Sequence, residues 1–287
     1  MSRPRIITVG SANLDLIGTC EHLPAPGETV TGARFAQYPG GKGANQALAA
    51  RRLGADVAMV ARVGKDANAS AALALLKQDG VDLSGIIEDE TAPTGVALIG
   101  VDKSGENFII VASGANSELS AADVAGAGPA DAVLCQLEIP LEAVEAAAQI
   151  ETPLFAINLA PAMRVPEELL ARADLLIVNE IEAEFYGDAL YRGGGLVAKT
   201  LGREGAVLYR AGEEIARRPA FQVDVVDTVG AGDTFCAALA VALAEGMAPG
   251  DALEFASAAS ALAVTKEGAQ PSLPWRREVE AFMEAQS

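Results

Sequence analysis

The chain is poor in the residues that many enzyme classes require. It has one histidine, His22, which lies in a loop rich in proline and glycine. Zinc sites built on histidine need more than one such ligand, and a Ser-His-Asp triad would have to use this loop residue. The three cysteines, Cys20, Cys135 and Cys236, show no CxxC spacing, which fits neither a zinc site nor a disulfide framework. We therefore expect a reducing compartment, and a carboxylate or a lysine as any general base.

Basic residues and long apolar runs are also scarce. Lys and Arg number 21 against 39 Asp and Glu, for a formal net charge of −18, which argues against nucleic acids and anionic membrane surfaces as partners. The longest apolar run, residues 234–244, is about half of a bilayer span and is predicted to be a buried helix. A strand is predicted almost at once, at residues 5–9, so we expect no signal peptide and a cytoplasmic protein.

What the chain does contain is an alternation of short apolar runs with alanine-rich stretches. Strands are predicted at residues 6–9, 57–63, 132–136, 154–158, 175–178 and 206–209. Helices are predicted between them, at residues 43–53, 68–78, 141–149, 166–171 and 180–186. Apolar strands separated by helices predict the α/β class, with a doubly wound, mostly parallel central sheet flanked by helices.

Two insertions interrupt this alternation. Residues 14–39 hold no helix signal, and residues 94–112 predict a hairpin with its turn at 102–105. Strands inserted at two places can meet as a small sheet over the carboxyl ends of the main strands, where ligands bind in open α/β folds. We predict a single domain, 1–287, with a small β-sheet lid formed by these two insertions; two unrelated surface loops are the alternative.

A turn of small residues with a carboxylate on each side, residues 227–235 (DTVGAGDTF), precedes the apolar helix. Two glycines and an alanine allow backbone N–H groups to crowd around an anion, and the helix directs the positive end of its dipole to the same place. Asp233 lies in this predicted anion site as a base, which indicates chemistry at a phosphoryl group. A glycine-rich helix start capped by an aspartate is the alternative.

Two further motifs carry polar groups at strand or helix ends. Asn13 and Asp15 follow the first strand and project to the same side of an extended chain, as a fork suited to vicinal hydroxyls. Residues 40–47 (GGKGANQA) open a predicted helix but lack the spacing of the GxxxxGK[ST] phosphate loop. They offer close backbone approach, a cation at Lys42, and Asn45 in the first helical turn. A polar turn and a solvated lysine are the alternatives.

Two segments late in the chain are candidates for nucleotide binding. Asn179 follows a strand directly and can donate to a phosphate oxygen, and Glu182 can hold a water bound to Mg²⁺. The loop 200–205 (TLGREG) joins two strands and can admit a nucleotide. The alternatives are an acidic first helical turn, which the helix dipole favours, and a simple reversal of the chain.

Taken together, these motifs resemble the ribokinase-like carbohydrate kinases, the PfkB family, over nearly the whole chain. Residues 40–47 and 227–235 resemble the two signatures of that family. The resemblance implies phosphorylation of D-ribose at its 5-hydroxyl by ATP. A related family kinase for another small sugar, deoxyribose, a nucleoside or a sugar acid is the first alternative, and a non-catalytic sugar-binding homologue is the second. A nicotinamide-dependent oxidoreductase is disfavoured, because no GxGxxG follows the first strand.

The resemblance also implies roles for single residues and two metal ions. Asp233 is the implied base, and the implied anion hole consists of the amides of Gly230, Ala231 and Gly232. The implied sugar ligands are Asn13, Asp15, Gly41, Lys42, Asn45 and Glu138. The implied ATP ligands are Asn179, Thr200, Gly202, Gly205 and Ser257, with Glu182 supporting Mg²⁺ through water. The implied ligands of an activating K⁺ are Asp227, Val229, Ala263, Lys266, Gly268 and Ser272. A homodimer through the lid is implied as well.

The chain departs from the family pattern in two places. Only eight residues, 188–195, occupy a region where the family has an additional helix. Its absence predicts one less covered sheet face, with lower stability or a partner contact. Ser257 lies where the family often has a larger polar residue against adenine.

Overall fold

The computed structural model describes residues 3–286. Its strands are β1 Arg5–Val9, β2 Asn13–Cys20, β3 Arg34–Gly40, β4 Asp56–Gly64, β5 Asp82–Asp89, β6 Gly95–Asp102, β7 Asn107–Ala112, β8 Ala132–Gln136, β9 Phe155–Asn158, β10 Leu175–Val178, β11 Leu196–Thr200, β12 Ala206–Arg210 and β13 Glu213–Arg218. Its helices are α1 Lys42–Arg52, α2 Ala67–Ala72, α3 Ala74–Gln78, α4 Ala121–Val124, α5 Leu141–Ala147, α6 Glu167–Arg172, α7 Glu180–Tyr186, α8 Ala231–Ala244, α9 Pro249–Ala263, α10 Ala269–Ser272 and α11 Arg276–Gln286.

Nine strands form one large sheet, in the order β13-β12-β11-β10-β9-β8-β1-β4-β5. All neighbours from β11 to β5 pair in parallel, and β12 and β13 extend the sheet in antiparallel pairing. The sheet is therefore mostly parallel, as predicted. Strands β8, β9 and β10 are buried along their whole length, because helices cover both faces of a doubly wound sheet.

Helices pack two separate apolar cores against the two faces of this sheet. Alternate residues of one strand serve the two cores, so Ile6 packs with α1, α8 and α9 while Ile7 packs with α5 and α6. The apolar run predicted as a buried helix is α8, of which residues 233–242 are all buried. Among the described residues, no helix combines the length and the hydrophobicity needed to cross a bilayer.

The two insertions contribute a second, four-stranded sheet in the order β3-β2-β6-β7. Strands β2 and β3 come from the first insertion, and β6 and β7 come from the second as a hairpin. The two halves meet where β2 runs parallel to β6, with Asn13 opposite Gly95 and Asp15 opposite Ala97. Asn13 and Asp15 therefore lie at the start of β2, only a few residues after β1 of the large sheet.

Several elements differ from the sequence prediction. The helix predicted at residues 68–78 is two short helices, α2 and α3, which meet at Leu73. Strand β5 was not predicted, because its sequence DLSGIIED mixes polar residues and a glycine with few apolar ones. Strand β13 was not predicted either, since this edge strand of sequence EEIARR has no buried residue and carries no apolar run.

The shortened segment does not leave the sheet uncovered. Residues 187–191 form a 3₁₀ helix that buries Leu190 and sets the Tyr191 ring against Tyr209, with ring centroids 5.7 Å apart. Leu176 and Val197, on the same face of the sheet, are fully buried. The prediction of a less covered face is therefore wrong, because two large side chains fill the space.

Candidate active site

A cavity of about 220 Å³ lies at the carboxyl edge of the central strands. Its lining comprises Lys42, Asn158, Ala160, Ile177, Val178, Asn179, Glu182, Thr200, Thr228, Gly230, Gly232, Asp233 and Cys236. Asn158, Val178 and Thr200 are the last residues of β9, β10 and β11, so the cavity occupies the edge at which open α/β sheets bind ligands.

The start of α8 forms one wall of this cavity. Gly230 precedes the helix with φ = +80°, a left-handed conformation that glycine adopts without strain. A β-carbon at Gly230 would lie 3.1 Å from the Cα atom of Ala269, so the close packing of α10 also requires glycine. The first amides of a helix have no partner within it, although Ala231 N–H donates to Thr228 O at 3.3 Å. This wall therefore presents N–H groups and the positive end of a helix dipole.

Asp233 lies in the first turn of α8, buried but lining the cavity. Both of its carboxylate oxygens accept hydrogen bonds from α1: Asn45 Nδ2 donates to Oδ2 and Gln46 Nε2 donates to Oδ1, each at 2.9 Å. The cavity thus contains a carboxylate whose orientation is fixed by two amides. A carboxylate has about four lone-pair positions, so acceptor capacity remains for a ligand.

Lys42 provides the positive charge of the site. It is the first residue of α1, and its side chain lines the same cavity as Asp233 and Glu182. The negative charge of Asp233 raises the pKa of the Lys42 ammonium, with smaller contributions from Glu138 and Glu182, against the opposing effect of burial. Lys42 is therefore a cation at neutral pH and suits an anionic ligand.

Asp15 faces the same region from the second sheet. Its carboxylate packs over the backbone of Gly40, where a β-carbon would lie 2.3 Å from Oδ2. Gly41 follows with φ = +87°, and the pair of glycines lets the chain turn closely past Asp15 into α1. Burial, followed by the charges of Glu138 and Asp233, raises the pKa of Asp15 to about 6.

Neighbours that were not predicted from the sequence hold the remaining implied sugar ligands. Asn116 Nδ2 donates to Asn13 Oδ1 at 2.7 Å, which turns the Asn13 amide nitrogen away from Asn116. Ser11 Oγ donates to Glu138 Oε2 at 2.6 Å, and the backbone N–H of Lys42 donates to the same oxygen at 3.1 Å. Each polar ligand of this group is thus fixed by hydrogen bonds that span about a hundred residues of sequence.

Of the residues implied for ATP, Asn179 and Thr200 line the cavity, together with Glu182. Asn179 and Glu182 form a reciprocal cap of α7: Glu182 N–H donates to Asn179 Oδ1 at 2.9 Å, and Asn179 N–H donates to Glu182 Oε2 at 2.7 Å. Burial raises the pKa of Glu182. Thr200 lines the cavity, and Gly202 and Gly205 follow it in a loop at positive φ.

Gly202, Gly205 and Ser257 are implied ATP ligands that do not line the cavity, and of the three only Ser257 is buried. Its hydroxyl donates within α9 to Leu253 O at 2.8 Å, and the side chain is buried in that helix. Asn158, Thr228 and Cys236 line the cavity in addition to the implied residues. Asn158 ends a predicted strand at the carboxyl edge, which is the one sequence signal that could have identified it.

The residues implied for K⁺ lie in two segments beside the start of α8. The Asp227 carboxylate joins them, since it accepts from Val229 N–H at 3.0 Å and from Gly268 N–H at 2.9 Å. Ser272 Oγ donates to Ala269 O at 2.8 Å. Ala263 O accepts from Lys266 N–H at 3.4 Å. These residues supply oxygen atoms, several of them from the backbone.

Comparison with known proteins finds relatives that extend over nearly the whole chain. The chain matches the model of the pfkB family carbohydrate kinases over residues 3–276. It is 41% identical to the ribokinase of Bacillus subtilis, over 97% of this chain and 99% of that protein. Its structure is similar to that of Thermotoga maritima ribokinase, with 35% identity, a TM-score of 0.87, and coverage of 98% of this chain and 99% of that one. It is also similar to Arabidopsis thaliana ribokinase complexed with ribose and ATP, with 33% identity, a TM-score of 0.85 and 99% coverage of both chains.

Proposed function

The chain belongs to the pfkB family of carbohydrate kinases, and from this premise we propose that it transfers the terminal phosphoryl group of ATP to the 5-hydroxyl of D-ribose. Support comes from the ribokinases that it matches over nearly its whole length. The structural observation that carries the proposal is Asp233, a buried carboxylate at the start of α8 that lines a cavity together with Lys42.

Asp233 acts as the general base in this proposal. As the sugar hydroxyl oxygen bonds to the terminal phosphorus of ATP, the bond from that phosphorus to the bridging oxygen breaks and ADP leaves. The hydroxyl proton passes to a carboxylate oxygen of Asp233. The two amide donors from α1 keep the carboxylate in one orientation, so a sugar held by Asn13, Asp15 and Glu138 meets a base that is already placed. Positioning supplies much of the rate, because phosphoryl transfer requires little covalent chemistry from the protein.

The start of α8 and Lys42 stabilise the charge of the transferred group. The amides of Gly230, Ala231 and Gly232 form the proposed anion hole, at the positive end of the helix dipole. Ala231 N–H would exchange its long contact with Thr228 O for the phosphoryl oxygen. The Lys42 ammonium adds a full positive charge within the same cavity.

The cavity suits a Mg²⁺ ion that is bound mainly by the phosphates of ATP and only assisted by protein side chains. Within residues 3–286, no group of three or more His, Cys, Asp or Glu side chains could hold a metal. The phosphates of ATP are therefore the main ligands we expect for Mg²⁺, which neutralises part of their charge when bound. Glu182 lines the cavity and would hold a water of that ion, while Asn179 donates to a phosphate oxygen.

We also propose that K⁺ activates the enzyme. The site would lie between the segments that Asp227 joins, with the ligands Asp227, Val229, Ala263, Lys266, Gly268 and Ser272. An ion held there would stiffen the segment that leads into Gly230 and thus the anion hole. The Asp227 bonds to Val229 and Gly268 support this placement, because they already bring the two segments together.

The second sheet is proposed to act as a lid and as the contact between two copies of the chain. Strand β2 carries Asp15, and β3 leads directly into α1, so a movement of this sheet would close over the sugar. Strand β7 is an edge strand whose six residues are all exposed, including Phe108, Ile109 and Ile110. An exposed apolar edge commonly pairs with another chain. We propose a homodimer through the lid, working in the cytoplasm where ATP and K⁺ are abundant.

A panel of sugars tests the proposed substrate. ADP release would be coupled to a reporter for ribose, deoxyribose, other small sugars, a nucleoside and a sugar acid, each with and without K⁺. We expect the highest kcat/KM for ribose, and turnover that increases with K⁺. A higher kcat/KM for another acceptor would contradict the assignment of ribose and would indicate a related kinase of the same family.

A non-catalytic sugar-binding protein is the second outcome to distinguish. Calorimetry with ribose alone, and then with a non-hydrolysable ATP analogue, reports both binding events separately from turnover. Binding of ribose without binding of the nucleotide, together with no ADP release, would contradict the kinase proposal.

A further inference from the structure

We propose that Gln46 is the positioning residue that orients the carboxylate of Asp233 for proton transfer. This inference rests on the proposed function, since it concerns the same base. Gln46 is fully buried and reaches neither the cavity lining nor the second sheet. Its side-chain hydrogen bonds go to Asn158, Asp233 and Gln136, which are all buried.

The direction of the Gln46 amide is fixed by chemistry. An ionised carboxylate only accepts hydrogen bonds, so the nitrogen of Gln46 must face Asp233. Gln46 Nε2 donates to Asp233 Oδ1 at 2.9 Å and lies 3.2 Å from Asn158 Oδ1. The carbonyl oxygen of Gln46 therefore points away from the base.

A second buried glutamine holds that carbonyl oxygen. Gln136, the last residue of β8, donates from Nε2 to Gln46 Oε1 at 2.5 Å. Both glutamines are completely buried, so water does not compete for these bonds. The result is a chain of donors that runs from β8 through α1 to the first turn of α8. A reversal of Gln46 would break its bonds to Asp233 and Gln136 at once.

Asn45 and Gln46 both donate to the base but have different freedom. Asn45 is an implied sugar ligand, and its Oδ1 is a buried atom without a hydrogen-bond partner among the described residues. Asn45 can therefore divide its amide between the sugar and Asp233. Gln46 is not an implied ligand, and its nitrogen is shared only between Asp233 Oδ1 and Asn158 Oδ1, so we expect it to remain the partner of Asp233 when the sugar binds.

A variant that lacks the Gln46 donor can be recognised by its pH profile. Hydrogen bonds donated to a carboxylate favour its ionised form. The other charged or titratable groups that face Asp233 are Lys42 on α1, Asp15 on β2, Cys236 on α8 and, through Lys42, Glu182 on α7. None of them is changed by a substitution at Gln46, so a shift of the pH profile would report the loss of the Gln46 donor.

The test replaces Gln46 with methionine, which keeps the length of the side chain and removes the donor. For Gln46→Met we expect kcat to fall by about tenfold or more, with a sugar KM within about threefold of wild type. We also expect the acidic limb of its kcat profile to lie at higher pH than that of wild type. Leu48→Ala is the control, because Leu48 is a buried apolar residue of the same helix. It lowers thermal stability without removing a donor, so its acidic limb should match wild type.

Two further measurements keep the outcome decisive. Gln136→Met releases Gln46 without altering the surroundings of Asp233, and we expect a smaller displacement in the same direction. If the wild-type protein phosphorylates no sugar, the proposed function is wrong. The inference about Gln46 is then tested by the crystal structure of Gln46→Met alone, in which we expect a rotated Asp233 carboxylate. A wild-type acidic limb in both glutamine variants, or an unmoved Asp233 in that crystal structure, would overturn the proposal.

Discussion

At the scale of single residues, two carboxylates of the site are held in opposite ways. Asp233 receives a hydrogen bond on each oxygen from the amides of α1. Asp15 receives no hydrogen bond on its carboxylate within residues 3–286, and its pKa is raised to about 6 by burial and then by Glu138 and Asp233. The ionised Asp15 carboxylate therefore lowers the free energy of unfolding. Such a cost is expected for a functional group whose hydrogen-bond partner is a ligand.

The first prediction concerns Asp15→Asn. With its raised pKa, the folded chain binds more protons than the unfolded chain between about pH 4 and about pH 6, so the free energy of unfolding falls as pH rises through that window. Removal of the carboxylate should therefore stabilise the protein near pH 7.5, by up to about 3 kcal/mol. The gain should shrink near pH 4.5, where wild-type Asp15 is largely protonated when folded. Denaturant unfolding at the two pH values measures it.

Sugar binding provides the second half of this test. The same Asp15→Asn variant should raise the sugar KM by about tenfold or more, because a hydroxyl partner is lost. Glu151→Gln, which removes an exposed carboxylate in the loop before the amino end of β9, is the control and should change neither quantity. Equal stability of Asp15→Asn and wild type near pH 7.5 would contradict the assignment of a strained carboxylate.

At the scale of elements, the turn before α8 requires glycine at position 230 but not at position 232. Gly230 has a left-handed φ and lies against the backbone of Ala269, whereas Gly232 lies within the helix, where a β-carbon would have no neighbouring atom within 4 Å. The two glycines of one motif therefore serve different purposes. Gly230 shapes the turn, and Gly232 leaves open space at the cavity wall.

The second prediction compares alanine at these two positions. Gly230→Ala should lower the free energy of unfolding by about 1–2 kcal/mol from its φ alone, with more from the contact to Ala269. It should also reduce kcat, because the first amides of α8 are displaced. Gly232→Ala should leave stability unchanged or raise it by about 1 kcal/mol, as for glycine replaced within a helix. Thermal unfolding of both variants measures the contrast, and equal melting temperatures would contradict this reading of the turn.

Elements also explain what the sequence could and could not predict. Strands β8 and β10 were predicted with their observed ends, because buried parallel strands are continuous apolar runs. Asp233 and Lys42, which line one cavity, could be proposed as site residues because their glycine-rich surroundings are local in sequence. Gln46 could not, since its role comes from a contact with a residue 187 positions away. Asn116 was missed for the same reason, as its partner Asn13 lies 103 positions away.

At the scale of the whole molecule, the proposed function draws on both sheets. The large sheet contributes Asn158, Val178 and Thr200 to the cavity lining. The second sheet brings Asp15 near Asp233, whose charge helps to raise the pKa of Asp15. The outer strand of that second sheet, β7, exposes a row of apolar side chains. The arrangement thus couples the proposed lid to the proposed contact between copies.

The third prediction concerns this contact. The double substitution Ile109→Glu and Ile110→Glu places a charge on each face of β7, so it should convert a dimer into monomers. Sedimentation equilibrium at micromolar concentration measures the mass. Ile181→Glu, at an exposed apolar residue of α7 away from the second sheet, should leave the mass of the wild-type dimer unchanged. A wild-type protein that sediments as a monomer, or a double variant that remains dimeric, would contradict the lid contact.

The most direct measurement of the whole account is the turnover of ribose and ATP by Asp233→Asn. The substitution keeps the size of the side chain but removes the proton acceptor, and calorimetry with ribose would establish that the variant still folds and binds the sugar. We predict that kcat falls by about 10²–10⁴-fold, the usual contribution of a general base. A kcat close to that of wild type would contradict the role of Asp233 and with it the proposed mechanism.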